Sequence, residues 1–166
     1  MKKIVLTLLA VAALFVACTT SNQRDKMLQE ITQSEQGIFS KNNVTMEESQ
    51  HLMDLYIAFA DAFPQDSLSP EFLFSCANIA INTQQEKFAL TLYQRIYDDY
   101  SDHAFRPIAL LNQALVYDNM GDVEHAKPLY EQFLVLFPDD PFVSDVEHLL
   151  EMVDKSPEEW EELFLQ

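Results

Sequence analysis

Apolar residues return at spacings of three and four along most of the chain, which is the pattern of amphipathic α-helices. The stripe formed by Leu52, Leu55, Tyr56 and Phe59 is typical of it. β-Branched residues do not alternate with polar ones over any length, and the chain contains only two glycines. The pattern therefore predicts an all-α fold. We place its helices at 24–40, 46–63, 70–82, 85–100, 106–119, 122–137, 142–154 and 157–164.

Helix-start signals support several of these boundaries. A hydroxyl residue followed three positions later by glutamate is the capping-box pattern, and it occurs at Thr45, Thr83 and Ser156. Pro70 and Pro107 are placed at first helical positions, where the missing N–H costs nothing. Pro128 falls inside a predicted helix, and we expect it to remove one hydrogen bond and bend that helix.

The helical pattern also repeats along the chain. A shift of 37 residues superposes small and aromatic residues on residues of the same kind. The matched pairs include Ala77 with Ala114, Ala89 with Ala126, Tyr93 with Tyr130, and, one copy earlier, Tyr56 with Tyr93. Small residues let two antiparallel helices approach closely, while aromatic residues fill the space beside them. A repeated ladder of this kind predicts repeated helix packing, as in a solenoid.

The 37-residue shift divides the chain into three copies, and the third, which contains Leu110 to Pro138, resembles the tetratricopeptide repeat. It has Leu110, Ala114 and Tyr117 on a first helix, a turn at 119–122, Ala126 and Tyr130 on a second helix, and a closing Pro138. The resemblance covers roughly residues 40–140 and implies an antiparallel helix-pair solenoid of about three repeats. The 37-residue spacing between copies is longer than is usual in this family, and it is similar to that of the BamD and CpoB types of envelope lipoprotein. The amphipathic segment 157–164 is expected to cap the last repeat or, alternatively, to bind a partner.

The amino terminus reads as a secretory signal. Lys2 and Lys3 precede an apolar run at 4–16, which as a helix would span only about 20 Å, too short for a bilayer core of about 30 Å. The run ends before Cys18 in a manner that resembles the lipobox of bacterial lipoproteins. This predicts a signal peptide at 1–17, a lipidated Cys18 with a short tether at 18–23, and a helical-repeat domain at 24–166. The resemblance implies a lipid-anchored protein of the bacterial envelope, at the outer membrane and facing the periplasm.

The charge of the chain narrows its possible partners. The formal net charge is −17, and loss of Lys2 and Lys3 with the signal leaves eight basic residues against 27 acidic ones, a balance of −19. Nucleic-acid binding is therefore not expected, because the chain has no basic footprint. Contact with a membrane is expected through the lipid on Cys18. Cys76 lies among apolar residues and is interpreted as a buried structural residue.

Candidate chemistry is sparse. The string Asp-Val-Glu-His occurs at 122–125 and again at 145–148, and a Glu-x-x-His pair occurs at Glu48 and His51. We interpret Asp122 and Asp145 as residues that open helices, where the helix dipole favours an acid. The two helix starts should lie about 24 Å apart, so the two copies cannot bind one ion together. No catalytic motif with a nucleophile is present, and two glycines cannot build a phosphate-binding loop. We therefore expect no enzyme, no bound metal and no cofactor.

The tetratricopeptide resemblance implies a concave groove lined by the first helix of each pair. The residues at the groove positions are Glu71, Phe74, Asn78, Asn82, Leu111, Leu115, Asp118, Asn119, His148 and Met152. Phe74, Leu111 and Leu115 predict an apolar strip for a helix or an extended segment of a partner. An alternative is that the chain's own ends cover these residues.

The function predicted is therefore a non-catalytic scaffold or adaptor that is held in the envelope by lipid and binds another envelope protein. The alternative is a metal-binding or small-molecule-binding helical lipoprotein, motivated by the histidines and carboxylates.

Overall fold

A computed structural model describes residues 21–38, 40, 41 and 43–155. Over these residues the chain is all-helical, with seven α-helices and no strand. The all-α prediction is thus confirmed. The predicted signal peptide, Cys18, the capping box at Ser156 and the terminal helix at 157–164 lie outside the described residues.

The helix boundaries agree closely with those predicted. Helix α1 covers residues 21–38, so the last three residues of the predicted tether are helical. The remaining helices are α2 (Met46–Ala62), α3 (Leu68–Asn82), α4 (Glu86–Asp99), α5 (Phe105–Asn119), α6 (Val123–Leu136) and α7 (Val143–Met152). Pro128 lies inside α6 as expected, whereas Pro70 and Pro107 occupy the third position of their helices rather than the first. An amide at that third position also has no partner within its own helix, so proline is accepted there.

The 37-residue repeat of the sequence is also a repeat of the backbone. Helices α3 and α5 begin and end 37 residues apart, and so do α4 and α6. The residues that close α2, α4 and α6 are Phe63, Tyr100 and Phe137, with φ between −132° and −124° and ψ between 55° and 60°. Each of the three donates its N–H to the carbonyl four residues earlier. The helices α2, α4 and α6 therefore end in the same backbone conformation with the same hydrogen bond.

The longer repeat period is explained by an ordered turn after each of these caps. Asp66, His103 and Asp140 each accept a hydrogen bond from the backbone N–H two residues later, at 3.1, 3.2 and 3.0 Å. The same three residues donate their own N–H to the carbonyls of Phe63, Tyr100 and Phe137. An acceptor side chain that bonds forward to the backbone stabilises such a turn. The extra residues therefore form a fixed corner rather than a loose linker.

The turn inside each helix pair differs from the prediction in one place. The capping box at Thr45 is confirmed, because its Oγ1 accepts from the N–H of Glu48 while its own N–H donates to the Glu48 carboxylate. The box predicted at Thr83 is wrong. The Thr83 hydroxyl donates back to the carbonyl of Ile79 at 2.9 Å, and α4 begins only after Gln85. Thr83 therefore belongs to the end of α3. It cannot also open α4, because Gln84, whose backbone is left-handed, follows it before the next helix starts.

The chain divides into two compact units, the first ending at Phe72 and the second beginning at Leu73. In the first unit Phe59 and Met53 are fully buried, and the Tyr56 ring stacks on Phe72 with centroids 5.0 Å apart. The Tyr56 hydroxyl donates to Glu35 at 2.6 Å, which connects α2 to α1. An ion pair between Arg24 and Asp66 joins α1 to the turn after α2.

The second unit packs each helix on the next, α4 on α5, α5 on α6 and α6 on α7. Ala89, Ala114 and Ala126 are fully buried where these helices meet. Their small side chains let the helices approach, and Tyr130 and Phe133 fill the space beside them. Cys76 is also fully buried, as expected for a small apolar residue. This packing of consecutive helices is consistent with a helical-repeat solenoid.

Candidate binding groove

A groove of about 300 Å³ lies between α3 and α5, the first helices of two consecutive pairs. Helices α3 and α5 each contribute one face to it, and α4 contributes a single residue. Its lining consists of Asn78, Ile81, Asn82, Tyr93, Asn112, Leu115, Val116 and Asn119. We call this surface the asparagine groove. Residues three, four and seven positions apart share one face of a helix, which is why these positions converge.

Four carboxamides define the chemistry of the asparagine groove. Asn78 and Asn82 lie one turn apart on α3, while Asn112 and Asn119 lie two turns apart on α5. Each carboxamide carries two N–H donors and one acceptor oxygen and is uncharged. The residues that line the groove include no carboxylate, amine or imidazole. The groove therefore offers paired donors and acceptors to a ligand rather than acid–base chemistry.

Tyr93 forms the floor of the asparagine groove. Its side chain is only 2% exposed, and its hydroxyl donates to Asn78 Oδ1 at 2.7 Å. Burial raises the pKa of Tyr93 to about 12, while a hydrogen bond from Asn112 acts in the opposite direction. The hydroxyl consequently stays neutral and joins an asparagine of α3 to one of α5. With its oxygen engaged below, Asn78 has its amide N–H groups left for a ligand.

Apolar side chains complete the groove. Ile81, Leu115 and Val116 lie among the asparagines, and Ile81 and Leu115 are partly exposed. An extended chain bound there would place its peptide groups against carboxamides and its side chains against aliphatic surface. This alternation of polar and apolar contacts is what recognition of a polypeptide backbone requires.

The structure brings together four of the ten predicted groove residues: Asn78, Asn82, Leu115 and Asn119. Leu111 is wrong as a groove residue, because it is 4% exposed and belongs to the core of the second unit. Phe74 is partly buried, and its ring already contacts other side chains of the protein. It stacks on Phe105 with centroids 4.8 Å apart and meets Tyr93 edge to face. The predicted apolar strip is therefore largely used in packing.

The other predicted groove residues do not line the asparagine groove. The Asp118 carboxylate accepts a hydrogen bond from the Tyr130 hydroxyl at 3.0 Å, and burial together with this carboxylate raises the pKa of Tyr130. Glu71 is exposed and belongs to the first unit. His148 is exposed and Met152 is half-buried, both on α7, and neither lines the groove.

Four lining residues were not predicted: Ile81, Tyr93, Asn112 and Val116. Asn112 had a detectable signal, because it lies seven positions before Asn119 and so shares its helix face. The repeat pattern indicates only a packing role for Tyr93, and its hydroxyl contacts reveal a second one.

The repeated Asp-Val-Glu-His string contributes to helix starts. Asp122 is the N-cap of α6, and its carboxylate accepts from the backbone N–H of His125 at 3.3 Å and bonds the ring Nδ1 at 2.8 Å. This contact raises the pKa of His125 and lowers the pKa of Asp122. Asp145 lies in the first turn of α7. Among the described residues, no group of three or more His, Cys, Asp and Glu is arranged to hold a metal ion.

No protein-family model matches the chain, and no curated protein is significantly similar to it in sequence. In the part of the chain that the structure describes, no helix combines the length and apolar character needed to cross a membrane.

Proposed function

We propose that this protein is a non-catalytic scaffold that binds an extended polypeptide segment of a partner in the asparagine groove. The observation that carries the proposal is the convergence of four asparagines from α3 and α5 around a buried tyrosine hydroxyl. A carboxamide has the same donor and acceptor groups as a peptide bond. It can therefore hold a backbone without regard to most side chains.

The spacing of the asparagines suits an extended segment. Residues four apart on a helix, such as Asn78 and Asn82 on α3, are separated by about 6 Å along its axis. Peptide groups that face the same side of an extended chain recur at about 6.6–6.8 Å. The two carboxamides are thus spaced to bind alternate peptide groups of one strand. A helical ligand would have its own backbone groups already bonded and gain nothing from them.

The charge of the chain adds a preference for the ligand. A protein with a net charge of −17 repels anionic segments over distances comparable to the Debye length and attracts cationic ones. The groove lining itself is uncharged. A neutral or basic segment is therefore favoured, and salt should slow its association more than it weakens the final complex.

The setting we infer is the bacterial cell envelope. The helix pairs would be tetratricopeptide repeats, and a lipid on Cys18 would hold the scaffold at the outer membrane, facing the periplasm. The 37-residue backbone repeat and the lipobox-like ending at Cys18 support this setting. The partner would be another protein of the same compartment.

The lipid anchor has a direct test. Cys18→Ala should abolish labelling by a fatty-acid probe and release the protein from the membrane fraction. Cys76→Ala is the matched control and should keep both the label and the membrane location, because Cys76 is buried. Labelling that survives in Cys18→Ala would refute the anchor.

Crosslinking in intact membranes tests the groove. The informative variant is Asn82→Ala with Asn119→Ala, because both residues are exposed and line the groove without bonding Tyr93. Gentle crosslinking followed by affinity purification should recover a defined partner with the wild-type chain. We expect at least tenfold less of it with the double variant.

Asn43→Ala serves as the control for this experiment, since Asn43 is an exposed asparagine outside the groove. It should recover the partner at the wild-type level. Equal recovery with all three chains, or no reproducible partner, would refute the proposed function.

A further inference from the structure

A second and larger depression lies on another face of α5. It has a volume of about 590 Å³, within the range of small-molecule sites. Helix α4 forms one wall, and α5 with the turn that follows it forms the other. The residues that decide its chemistry are Lys87, Leu90, Gln113, Tyr117, Met120 and Asp122. We call it the Gln113 cleft.

Gln113 is the unusual residue of this cleft. It is 4% exposed, and within the described part of the chain its side-chain Nε2 is buried with no hydrogen-bond partner. A buried amide without an acceptor is destabilising, and native structures contain few of them. Such a group in a native structure calls for an explanation, and a bound molecule that supplies the missing acceptor is one.

The internal repeat provides a comparison for Gln113 within the same chain. One period earlier the equivalent position is Cys76, which is fully buried, and one period later it is Leu150. Both are apolar, so the helix packing at this position needs no carboxamide. Packing alone therefore does not account for the glutamine.

We propose that the Gln113 cleft binds a small, neutral, amphipathic molecule whose carbonyl-type oxygen accepts a hydrogen bond from Gln113 and whose apolar body lies against Leu90, Tyr117 and Met120.

The other polar groups of the cleft explain why Gln113 is its anchor. The Thr91 hydroxyl already donates to the carbonyl of Phe88 at 2.7 Å, and the Gln94 amide donates to Asp98 at 2.9 Å. Asp122 is engaged by His125. The Gln113 amide thus remains as the lining donor that is buried and unsatisfied. An acceptor bound there would replace an absent bond rather than compete with an existing one.

Charge and shape favour a neutral molecule with an apolar part. Asp122 and the acidic chain as a whole disfavour an anion, and a cationic group such as an ammonium has no acceptor to offer the Gln113 amide. Met120 is 47% exposed, although it is a large apolar residue. Because methionine is unbranched, its side chain can move to admit a ligand to the amide beneath.

The test is a titration of the full chain with 4-phenylbutanamide, followed by the side-chain amide resonances in nitrogen-15 NMR spectra. We expect saturable shifts of the Gln113 amide and of residues on both walls of the cleft. Butylbenzene, which has no acceptor, should bind at least tenfold more weakly, and the anion 4-phenylbutanoate should also bind more weakly than the amide.

Gln113→Leu should weaken binding of 4-phenylbutanamide at least tenfold. It should also raise the thermal unfolding midpoint by roughly 3–8 °C, because the unsatisfied amide is removed. The raised midpoint shows that any loss of binding is not a loss of folding. Gln65→Leu is the matched control, the same change at an exposed glutamine that lines neither the cleft nor the asparagine groove, and it should leave the affinity unchanged.

Two results would overturn the proposal. One is the absence of any saturable shift at the cleft, and the other is equal affinity of the wild type and Gln113→Leu for the amide. Because the partner experiment uses different residues, either site can fail without the other.

Discussion

The turn that joins α3 to α4 and the turn that joins α5 to α6 follow one backbone path with different side chains. Gln84 has φ of 60° in the first, and Gly121 has φ of 73° in the second. The next residue, Gln85 or Asp122, donates its N–H to the carbonyl five positions earlier, at 2.8 and 2.9 Å.

The two turns show which features the repeat conserves between its copies and which can vary. Backbone hydrogen bonds and small residues at the helix contacts recur in both copies, whereas the side chains of the turn vary. Glycine accepts the left-handed conformation readily, and glutamine does not. The α5–α6 turn also gains an N-cap carboxylate with a histidine partner, which the α3–α4 turn lacks. The two turns therefore differ in stability rather than in shape.

The largest effect is expected from the small residues that both copies share. Ala89 and Ala126 are equivalent and fully buried. Replacement of either by leucine should lower the free energy of unfolding by about 2–3 kcal/mol, because added methylenes overpack a dense contact. Ala58→Leu, at an exposed position of α2, should change it by no more than about 0.5 kcal/mol. Urea denaturation measures all three, and a buried variant as stable as the exposed control would break the equivalence.

An exchange of residues between the two turns should have opposite effects. Gly121→Gln should lower the free energy of unfolding by about 1–2 kcal/mol, because a side chain is disfavoured at positive φ. Gln84→Gly should raise it by about 0.5–1 kcal/mol for the same reason. A Cβ at residue 121 would meet nothing within 4 Å, so the effect arises in the backbone alone. Thermal and urea unfolding of the two variants would contradict the account if the changes had the same sign.

The smallest effect on stability is expected from the Asp122–His125 pair of the α5–α6 turn, whose contribution should depend on pH. The raised pKa of His125 gives stability that is present below its unfolded value of about 6.5 and is lost as pH rises through the folded value. The lowered pKa of Asp122 gives stability that is present above its unfolded value of about 3.9 and is lost as pH falls through the folded value. The pair therefore contributes most between about pH 4 and 6.5.

Asp122→Gln, which copies the residue of the α3–α4 turn, tests this window. The difference in unfolding midpoint between wild type and variant should be largest near pH 5. It should be smaller at pH 9, where the carboxylate still caps the helix but the imidazole is neutral, and smallest at pH 2.5. A difference that does not vary with pH would exclude the pair as its source.

Much of the fold could be predicted from the sequence because the signals are local or periodic. The recurrence of apolar residues gave helices whose ends lie within two residues of the observed ones for α2 to α7. The 37-residue offset predicted which helices are equivalent. Thr83 could not be placed correctly, because the turn needs Gln84 at positive φ and this conformation leaves no signature in a glutamine. The cap that the sequence suggested thus belongs to the helix before it.

The groove could be predicted only in part. Asn78, Asn82 and Asn119 follow from the helix face that a repeat protein exposes. Leu111 lies one turn from Leu115 on the same helix. Because other helices pack on more than one side of α5, Leu111 is buried in the core and does not line the groove. The role of Tyr93 depends on hydroxyl contacts to two helices, which periodicity does not encode. The Gln113 cleft was missed because an isolated glutamine in a helical stripe looks like an ordinary surface residue.

Site-specific photocrosslinking reports directly on what the asparagine groove binds. A photoreactive amino acid replaces Ile81, which lines the groove but is not one of its carboxamides, or, as a control, Val135, which is 77% exposed on α6. We expect the residue at 81 to yield a crosslink to one partner, mapped by mass spectrometry to a single neutral or basic segment, and the residue at 135 to yield none. Crosslinks to that segment from position 135 alone, or from both positions equally, would contradict binding in the groove.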